Sequence, residues 1–484
     1  MPDASAGADP IELPNGSGRS ASTQGNAKSP TARYLRLLAI CLCGYAVAGK
    51  GFAYIGYAPI YIGEAVLLAG LVVTLKRAPL RALFGDVCIW PIALYMIWGA
   101  FRTVPGIGAY GTDALRDAVI WGYATFVFIV AGLLMSDFEN PRIFVRYLSK
   151  LLAVFLAVIP FSLAATYLVA KYVPVFPGTA QHIIDVKLDD AAVHLTGAGS
   201  MMMLGLLSFT PFRIVSLLVS TLFAVAGDRG GALGMAVSVA MIVVLAPIRR
   251  HFFRAIVLML AIFAFLYVTN ISIDITNDRS ISARQIGNNV VSLFSSTHVR
   301  GRLTPGAKVD RDTGTIIWRL IFWNFLIDKT MDTSPMEGLG FGMSLGSLPG
   351  MPIVVQEDLR SPHNGAVTIF TRTGFIGLGL WFFALLVWYV EVFRAFLDSR
   401  KNGHYVWSSV LLVIPAYFTT ALISLLFDVY LEGPMGGIWF WCLIGAGIGM
   451  RRWYWACPQY WDTPSAVAQQ GDGSTLSVAQ SAPE

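Results

Sequence analysis

A histidine that can transfer protons stands at the edge of a long apolar stretch. His363 lies in the Ser-Pro-His-Asn segment at residues 361–364, directly before an apolar run. Imidazole titrates near neutral pH and can exchange a proton at the boundary between water and membrane. A protein that only scaffolds or conducts has little use for such a group, whereas an enzyme that acts on a lipid-borne substrate needs one. His363 is therefore the first candidate catalytic residue.

Arg319 is a second candidate and lies in an aromatic-rich segment upstream of His363. Residues 315–329 are compatible with a helix and are strongly apolar, as expected of a helix at the membrane interface. Arg319 and Trp323 are four residues apart, so they share one helix face and the guanidinium can lie over or beside the indole. A guanidinium is permanently charged and suits the binding of phosphate groups.

The composition indicates the solvent that surrounds these residues. Hydrophobic residues make up 55% of the 484 residues and charged residues 13%, and the mean hydropathy is +0.62. Such a chain is predicted to be an all-α integral membrane protein. The net charge of +6 is spread over loops without a basic stripe, which argues against nucleic acid as a partner. The five cysteines form no spacing typical of a disulfide framework or a metal site.

The apolar stretches predict about 12 transmembrane helices, which must position the candidate residues. Their starts lie near residues 34, 57, 84, 117, 149, 193, 212, 230, 252, 365, 405 and 434. Lys and Arg concentrate in alternate loops, which predicts that both termini are cytoplasmic. The predicted regions are a disordered cytoplasmic tail (1–32), helices 1–9 (33–270), a large external loop with short helices (271–362), helices 10–12 (363–452) and a cytoplasmic tail (453–484).

The predicted loop of residues 271–362 is far longer than a connection requires, which is typical of a functional segment. Its Gly338, Gly340 and Gly342 have neither a preceding strand nor a following Lys-Ser/Thr, so a phosphate loop is not indicated and a flexible turn is expected. Lys187, with Asp189 and Asp190, precedes the sixth predicted span and is a candidate for lining a route for an acceptor.

The chain resembles the O-antigen ligase and polymerase superfamily, which are bacterial polytopic membrane glycosyltransferases. The resemblance is carried, in order, by Arg319-x-x-x-Trp323, Pro335-x-x-Gly338-x-Gly340-x-Gly342, His363-Asn364 and Gly374-x-x-Gly377. It is close over residues 314–377. Asp228-Arg229-Gly230-Gly231 resembles the Ser-Arg-Gly element of the same family, with Asp in place of the small hydroxyl residue.

The resemblance implies an activity and a role for three residues. In this family a glycan moves from a polyprenyl (undecaprenyl) diphosphate to an acceptor hydroxyl, on lipid A core or another surface acceptor, without a metal, a cofactor or a nucleotide sugar. Arg319 and Arg229 are then expected to hold the diphosphate, and His363 to deprotonate the acceptor in a single inverting displacement. Ser361 is expected to cap the following helix, which places His363 at the positive helix end.

Four more residues are candidates for binding substrate, namely Trp323, Asn364, Arg360 and Arg372. Surface pairing of the two arginines with Glu357 or Asp358 is the competing interpretation. The resemblance also implies a multi-pass protein of the bacterial inner membrane with a periplasmic active site, whose partners are the lipid-linked donor, the acceptor and membrane lipids. A polymerase that uses the same donor stays open as an alternative to a ligase. A 12-span transporter is a further alternative, although the two halves show no internal symmetry.

Overall fold

The computed structural model describes residues 29–57, 60–246, 269, 272–276, 279–282, 311–351 and 360–461. The predicted ninth span near residue 252 and most of both predicted tails lie outside these residues. Within the described residues the chain is almost entirely helical, which confirms the predicted all-helical class.

Helices in the first half of the chain are α1 (Pro30–Ala48), α2 (Lys50–Ala53), α3 (Ile62–Arg77), α4 (Leu80–Phe84), α5 (Ile89–Tyr110), α6 (Thr112–Asp117), α7 (Val119–Gly122), α8 (Thr125–Met135), α9 (Asn140–Tyr167), α10 (Leu188–Met203), α11 (Pro211–Gly227) and α12 (Arg229–Leu245). Those in the second half are α13 (Arg311–Thr333), α14 (Gly365–Lys401), α15 (Tyr405–Leu425) and α16 (Pro434–Ala456). Single 3₁₀ turns lie at Ala170–Tyr172 and Leu345–Ser347. A helix lies at or just after each predicted start that falls within the described residues.

Two short antiparallel hairpins complete the described secondary structure. Strands β1 (Gly56–Tyr57) and β2 (Ile60–Tyr61) pair directly before α3. Strands β3 (Ser272–Thr276) and β4 (Arg279–Ser282) pair with a register shift at residues 274–276. The second hairpin falls in residues 271–362, the predicted external loop with short helices.

Length and apolarity identify candidate membrane spans. Among the described residues, 4 helices are long and apolar enough to cross a membrane: Pro30–Ala48, Asn140–Tyr167, Gly365–Lys401 and Tyr405–Leu425. Shorter apolar helices lie at Val119–Met135, Pro211–Gly227 and Arg229–Leu245. Large apolar side chains are also exposed at helical spacing along α3, α5, α11 and α14, at Leu68, Val72, Leu75, Ile97, Phe101, Val104, Phe212, Val215, Val219, Phe382, Leu386 and Val390. Soluble proteins rarely expose such surfaces, so the chain is a multi-pass membrane protein.

The core centres on α15 and α16, which pack against each other; α8 packs on α16, α10 packs on α15, and α14 packs on both. It is rich in fully buried aromatic side chains, among them Trp388, Phe418 and Phe440, whose rings contact one another at centroid distances of 4.6–4.7 Å. Gly447 approaches the Trp388 indole so closely that an added Cβ would lie 2.7 Å from it, which explains a small residue at this crossing.

An ion network closes one end of the bundle. Arg451, near the end of α16, binds the carboxylates of Asp86 and Glu391, and Asp86 is 1% exposed. At a rise of about 1.5 Å per residue, α14 carries Glu391 far from its first residue, Gly365. The first turns of α10 and α12 contact each other at the opposite end, where the candidate residues lie.

A kink in α14 is bridged by the glycine-rich segment. Gly374 has φ 67° and ψ −166°, which interrupts the helix. In a regular helix the amides of Phe375 and Ile376 would bond to the carbonyls of Thr371 and Arg372. The segment 335–340 binds all four groups instead: its amides donate to the two carbonyls at 2.7 and 3.1 Å, and its carbonyls accept from the two amides at 2.9 and 3.2 Å.

The expected flexible turn is therefore a firmly held backbone segment. A Cβ on Gly338 would lie 2.5 Å from the amide nitrogens of Thr373 and Gly374, and the φ of Gly338 is positive at 74°. Only glycine permits that approach and that conformation without strain. Arg102 of α5 reinforces the docking, because its guanidinium donates to the Gly338 carbonyl at 2.9 Å and pairs with Glu337.

Candidate active site

The four residues before α14 hold His363 outside the helix. Asn364 is the N-cap, since its side chain accepts from the Val367 amide at 3.0 Å. The prediction that Ser361 caps the helix is wrong: the Ser361 hydroxyl donates to Glu432 at 2.6 Å and accepts from the His363 amide at 3.3 Å. His363 itself has a positive φ of 54°, a conformation that is uncommon for residues other than glycine. The backbone is thus bent at the histidine.

The imidazole of His363 is oriented by a carboxylate. Its Nδ1 lies 2.8 Å from Oδ1 of Asp428, in the loop between α15 and α16. Because an ionised carboxylate only accepts, Nδ1 carries the hydrogen and the neutral ring keeps Nε2 as a proton acceptor. The Trp318 ring meets the imidazole edge-on at a centroid distance of 6.3 Å. The His363 side chain is 30% exposed, so a reactant can reach it.

A lysine holds the other oxygen of Asp428. The ammonium of Lys187, at the start of α10, lies 2.6 Å from Oδ2. Burial opposes the charge of Asp428, but the hydrogen bond from His363 and the charge of Lys187 outweigh burial and hold the pKa of Asp428 well below its usual range. Asp428 is therefore ionised at neutral pH.

Both predicted diphosphate-binding arginines lie beside the same loop. Nη1 of Arg319, on α13, donates to the Phe427 carbonyl at 3.0 Å. Arg229 is the first residue of α12, and the Phe427 side chain packs against the adjacent Gly230. His363 and Arg319, which are far apart in sequence, thus bind the loop of Phe427 and Asp428 directly, and the backbone of Arg229 lies next to the same loop through Gly230.

Asp228 has a structural role next to Arg229. The sequence analysis noted Asp at a position where the family has a small hydroxyl residue. The structure makes Asp228 the N-cap of α12, because its carboxylate accepts from the Gly231 amide. Asp, Ser and Thr all serve as N-caps, so the replacement preserves the local structure that presents Arg229.

Trp323 and Asn364 fix the backbone on the two sides of His363. The indole of Trp323 donates to the Pro362 carbonyl at 2.7 Å. Asn364 uses its side chain for the helix cap described above. Arg319 and Trp323 share a helix face as predicted, yet each donates to a different carbonyl, at Phe427 and at Pro362.

Arg360 and Arg372 come together through a carboxylate that the sequence analysis did not identify. Nε and Nη2 of Arg360 donate to Asp117 at 3.1 and 2.8 Å, and Nη2 of Arg372 lies 2.9 Å from the same carboxylate. Arg372 is buried, with 2% of its side chain exposed. The alternative partners, Glu357 and Asp358, lie outside the described residues. The two arginines line a polar cavity with Arg116, Thr368 and Glu432.

The loop between α15 and α16 organises the whole site. Phe427 accepts from Arg319, Asp428 binds His363 and Lys187, and Glu432 accepts from the hydroxyls of Ser361 and Thr368 at 2.6 and 2.9 Å. Its two acids in a short break between apolar stretches were a signal in the sequence. Within the described parts of the chain, no group of three or more His, Cys, Asp or Glu side chains could hold a metal ion.

This geometry combines a group that accepts protons with groups that bind anions. An oriented imidazole, a carboxylate that can stabilise its protonated form, and a guanidinium at the same loop suit the deprotonation of a hydroxyl beside a phosphate leaving group. No curated protein matches the chain. Residues 214–382, which include Arg229, Arg319 and His363, match the family model described as O-antigen ligase. This part of the chain is therefore an O-antigen ligase domain and belongs to that family of membrane glycosyltransferases.

Proposed function

We propose that the protein transfers a glycan from a polyprenyl diphosphate to an acceptor hydroxyl, as an O-antigen ligase. Membership in the family implies lipid-linked glycan substrates, and the family includes both ligases and polymerases. The observation that carries the proposal is the hydrogen bond between His363 and Asp428 beside the Arg319 guanidinium. It supports a base and an anion-binding group at one loop.

In the proposed reaction His363 acts on the acceptor. Nε2 removes the proton of the acceptor hydroxyl as the acceptor oxygen bonds to the anomeric carbon. The bond from that carbon to the diphosphate oxygen breaks, the polyprenyl diphosphate departs with the electron pair, and the configuration inverts. Asp428 stabilises the imidazolium that results, as a carboxylate beside a histidine base does in other enzymes. Solvent then removes the proton, since the His363 side chain is 30% exposed.

Arg319 and Arg229 are assigned to the leaving group in this proposal. The diphosphate gains charge as the glycosidic bond breaks, and guanidiniums stabilise such charge without a metal. Trp323 and Asn364 hold the backbone around His363, so we assign them to positioning the base. Arg360 and Arg372 bind Asp117, which supports a role in shaping the adjacent cavity.

The proposed setting is the bacterial inner membrane, with about 12 spans and both termini cytoplasmic. The loops predicted to face the cytoplasm carry most of the basic residues, which favours this orientation. The same orientation puts the loop of Asp428 on the periplasmic face, where lipid-linked glycans and outer acceptors meet.

The direct test is reconstitution of the purified protein with a synthetic polyprenyl-diphosphate glycan. Products are analysed by mass spectrometry with and without lipid A core as acceptor. Attachment of the glycan to the core is expected, whereas growth in repeat number without the core would identify a polymerase instead. A His363→Ala variant should leave the donor intact. Normal product from that variant would contradict the assigned base.

A further inference from the structure

A polar cavity of about 80 Å³ lies next to the His363 segment. Its polar lining consists of Arg116, Asp117, Arg360, Thr368, Arg372 and Glu432. Glu432 joins the cavity to the catalytic segment, because it accepts from Ser361, two residues before His363, and from Thr368 on the first turns of α14. The cavity is thus one hydrogen bond away from the backbone that carries the proposed base.

The cavity wall is held rigidly. The Asp117 carboxylate binds Arg360 and Arg372 and also accepts from the Gly342 amide at 3.1 Å. Arg360 donates in addition to the Gly342 carbonyl at 2.7 Å. The Arg372 side chain is 2% exposed, and its Nε has no hydrogen-bond partner among the residues that the structure describes.

The order of contacts places His363 between the cavity and Arg319. On one side, Arg319 binds the Phe427 carbonyl, and the next residue, Asp428, binds the imidazole. On the other side, Ser361 connects the His363 amide to Glu432 in the cavity wall. In an inverting displacement the acceptor attacks from the side opposite to the leaving group. If Arg319 holds the diphosphate, the acceptor hydroxyl approaches from the cavity side.

We propose that this cavity binds the acceptor saccharide, next to the hydroxyl that is glycosylated, and that it selects a neutral sugar over an acidic one. The proposal rests on the transferase activity proposed above. The wall carries both donors and acceptors, as hydroxyl groups require, since each hydroxyl can donate and accept. A uronate carboxylate would face Asp117 and Glu432 and could not donate to either.

The charges of the cavity support a neutral ligand. Arg116, Arg360 and Arg372 are matched by Asp117, Glu432 and Asp113, the last of which lies 3.4 Å from Arg360 and 3.8 Å from Arg116. There is accordingly no excess of positive charge to attract an anion. Arg116 stands at the opening with 64% of its side chain exposed, so it can contact a ligand without supporting the fold.

Steady-state kinetics on the full-length protein tests the proposal. The acceptors are a neutral glycolipid without diphosphate, a neutral polyprenyl-diphosphate saccharide, and the uronate analogue of each. The acceptor is varied at saturating donor to give the acceptor KM, and the donor is varied at saturating acceptor to give the donor KM. For Arg116→Gln the acceptor KM is expected to rise about five- to tenfold, the value of one hydrogen bond, with the donor KM unchanged. Glu432→Gln should reduce the preference for neutral over acidic acceptors. Comparing the two neutral acceptors tells which lipid carries the saccharide.

A matched control is Lys171→Gln, an exposed cation whose ammonium lies over the Tyr172 ring and outside the cavity. It should change neither KM. A rise in the donor KM alone for Arg116→Gln would assign the cavity to the donor and overturn the proposal, as would an unchanged acceptor KM.

Binding separates this proposal from the proposed activity. If neither the parent nor the variants transfer glycan, native mass spectrometry measures the binding of two ligands to the parent and to Arg116→Gln. The ligands are the neutral glycolipid and the same lipid without its sugar. A preference of the parent for the sugar-bearing lipid that Arg116→Gln loses would support the cavity as a saccharide site, although the transferase proposal had failed. Equal binding of both lipids by the parent would overturn it.

Discussion

Replacing Asp428 by Asn removes the charge that supports His363 while keeping the shape of the side chain. The Asp428 carboxylate lies 2.8 Å from Nδ1 of His363 and its side chain is 17% exposed. Two unit charges about 4 Å apart attract by about 4 kcal/mol at an effective dielectric constant of about 20. Lys187, at 2.6 Å from the other oxygen, offsets part of this attraction. The attraction that remains, about 2–3 kcal/mol, predicts that kcat falls about 30- to 150-fold when the charge is removed.

The assay is the single-turnover rate of glycan transfer with both substrates saturating. Since the carboxylate stabilises the imidazolium only as the proton is taken, the rate should fall while the KM values stay within about twofold. Lys187→Gln is the control, because it removes the neutralising ammonium and should leave the rate equal or higher. A folded Asp428→Asn protein with a rate within about threefold of the parent would refute the reasoning, because the lost attraction should lower the rate by far more than threefold.

Three further predictions concern the supports of the site. Gly374→Ala should lower the melting temperature and expose the 335–342 segment to proteolysis, because its Cβ would lie 2.3 Å from the Met336 carbonyl at a φ of 67°; Gly379→Ala, with open space around it, should change neither. Trp323→Phe should lower kcat about tenfold by freeing the Pro362 carbonyl, and Trp90→Phe, which loses the same kind of bond at an exposed site, should not. The third prediction concerns pH: the lowered pKa of Asp428 means that its ionised form stabilises the fold above its unfolded pKa and that this stability is lost as pH falls through the folded value. The parent should therefore melt at a higher temperature than Asp428→Asn above about pH 4, and this difference should shrink as the pH falls further; a difference that persists unchanged into that acid range would contradict the assignment.

The sequence singles out the groups to which catalysis is assigned in the proposal, but not the groups that orient them. His363 and Arg319 stand out because charged and titratable side chains are rare in an apolar chain. Asp428 lies 65 residues from His363, and Asp117 lies 243 residues from Arg360, so their pairing depends on how the helices pack. Nothing in the local sequence of either acid encodes that distance.

The residue preferences for helix capping were ambiguous before α14, because two residues there could serve as the N-cap. Ser361 and Asn364 are both good N-caps, and the choice was settled by the positive φ of His363. The positions of the helices were predictable because apolar stretches are long and polar breaks are short. The number of membrane spans was harder to predict, because several described helices are shorter than the thickness of a bilayer.

The docking of residues 335–340 onto the break in α14 limits how the enzyme can open. Pulling this segment away would leave two amides and two carbonyls of α14 without partners, and each such group costs several kcal/mol in a lipid environment. The segment is thus part of the bundle wall rather than a cover that swings. Substrates must then enter the site past another boundary of the bundle. An engineered crosslink that ties residues 335–340 to α14 at positions other than Gly338 and Gly374 should leave turnover intact.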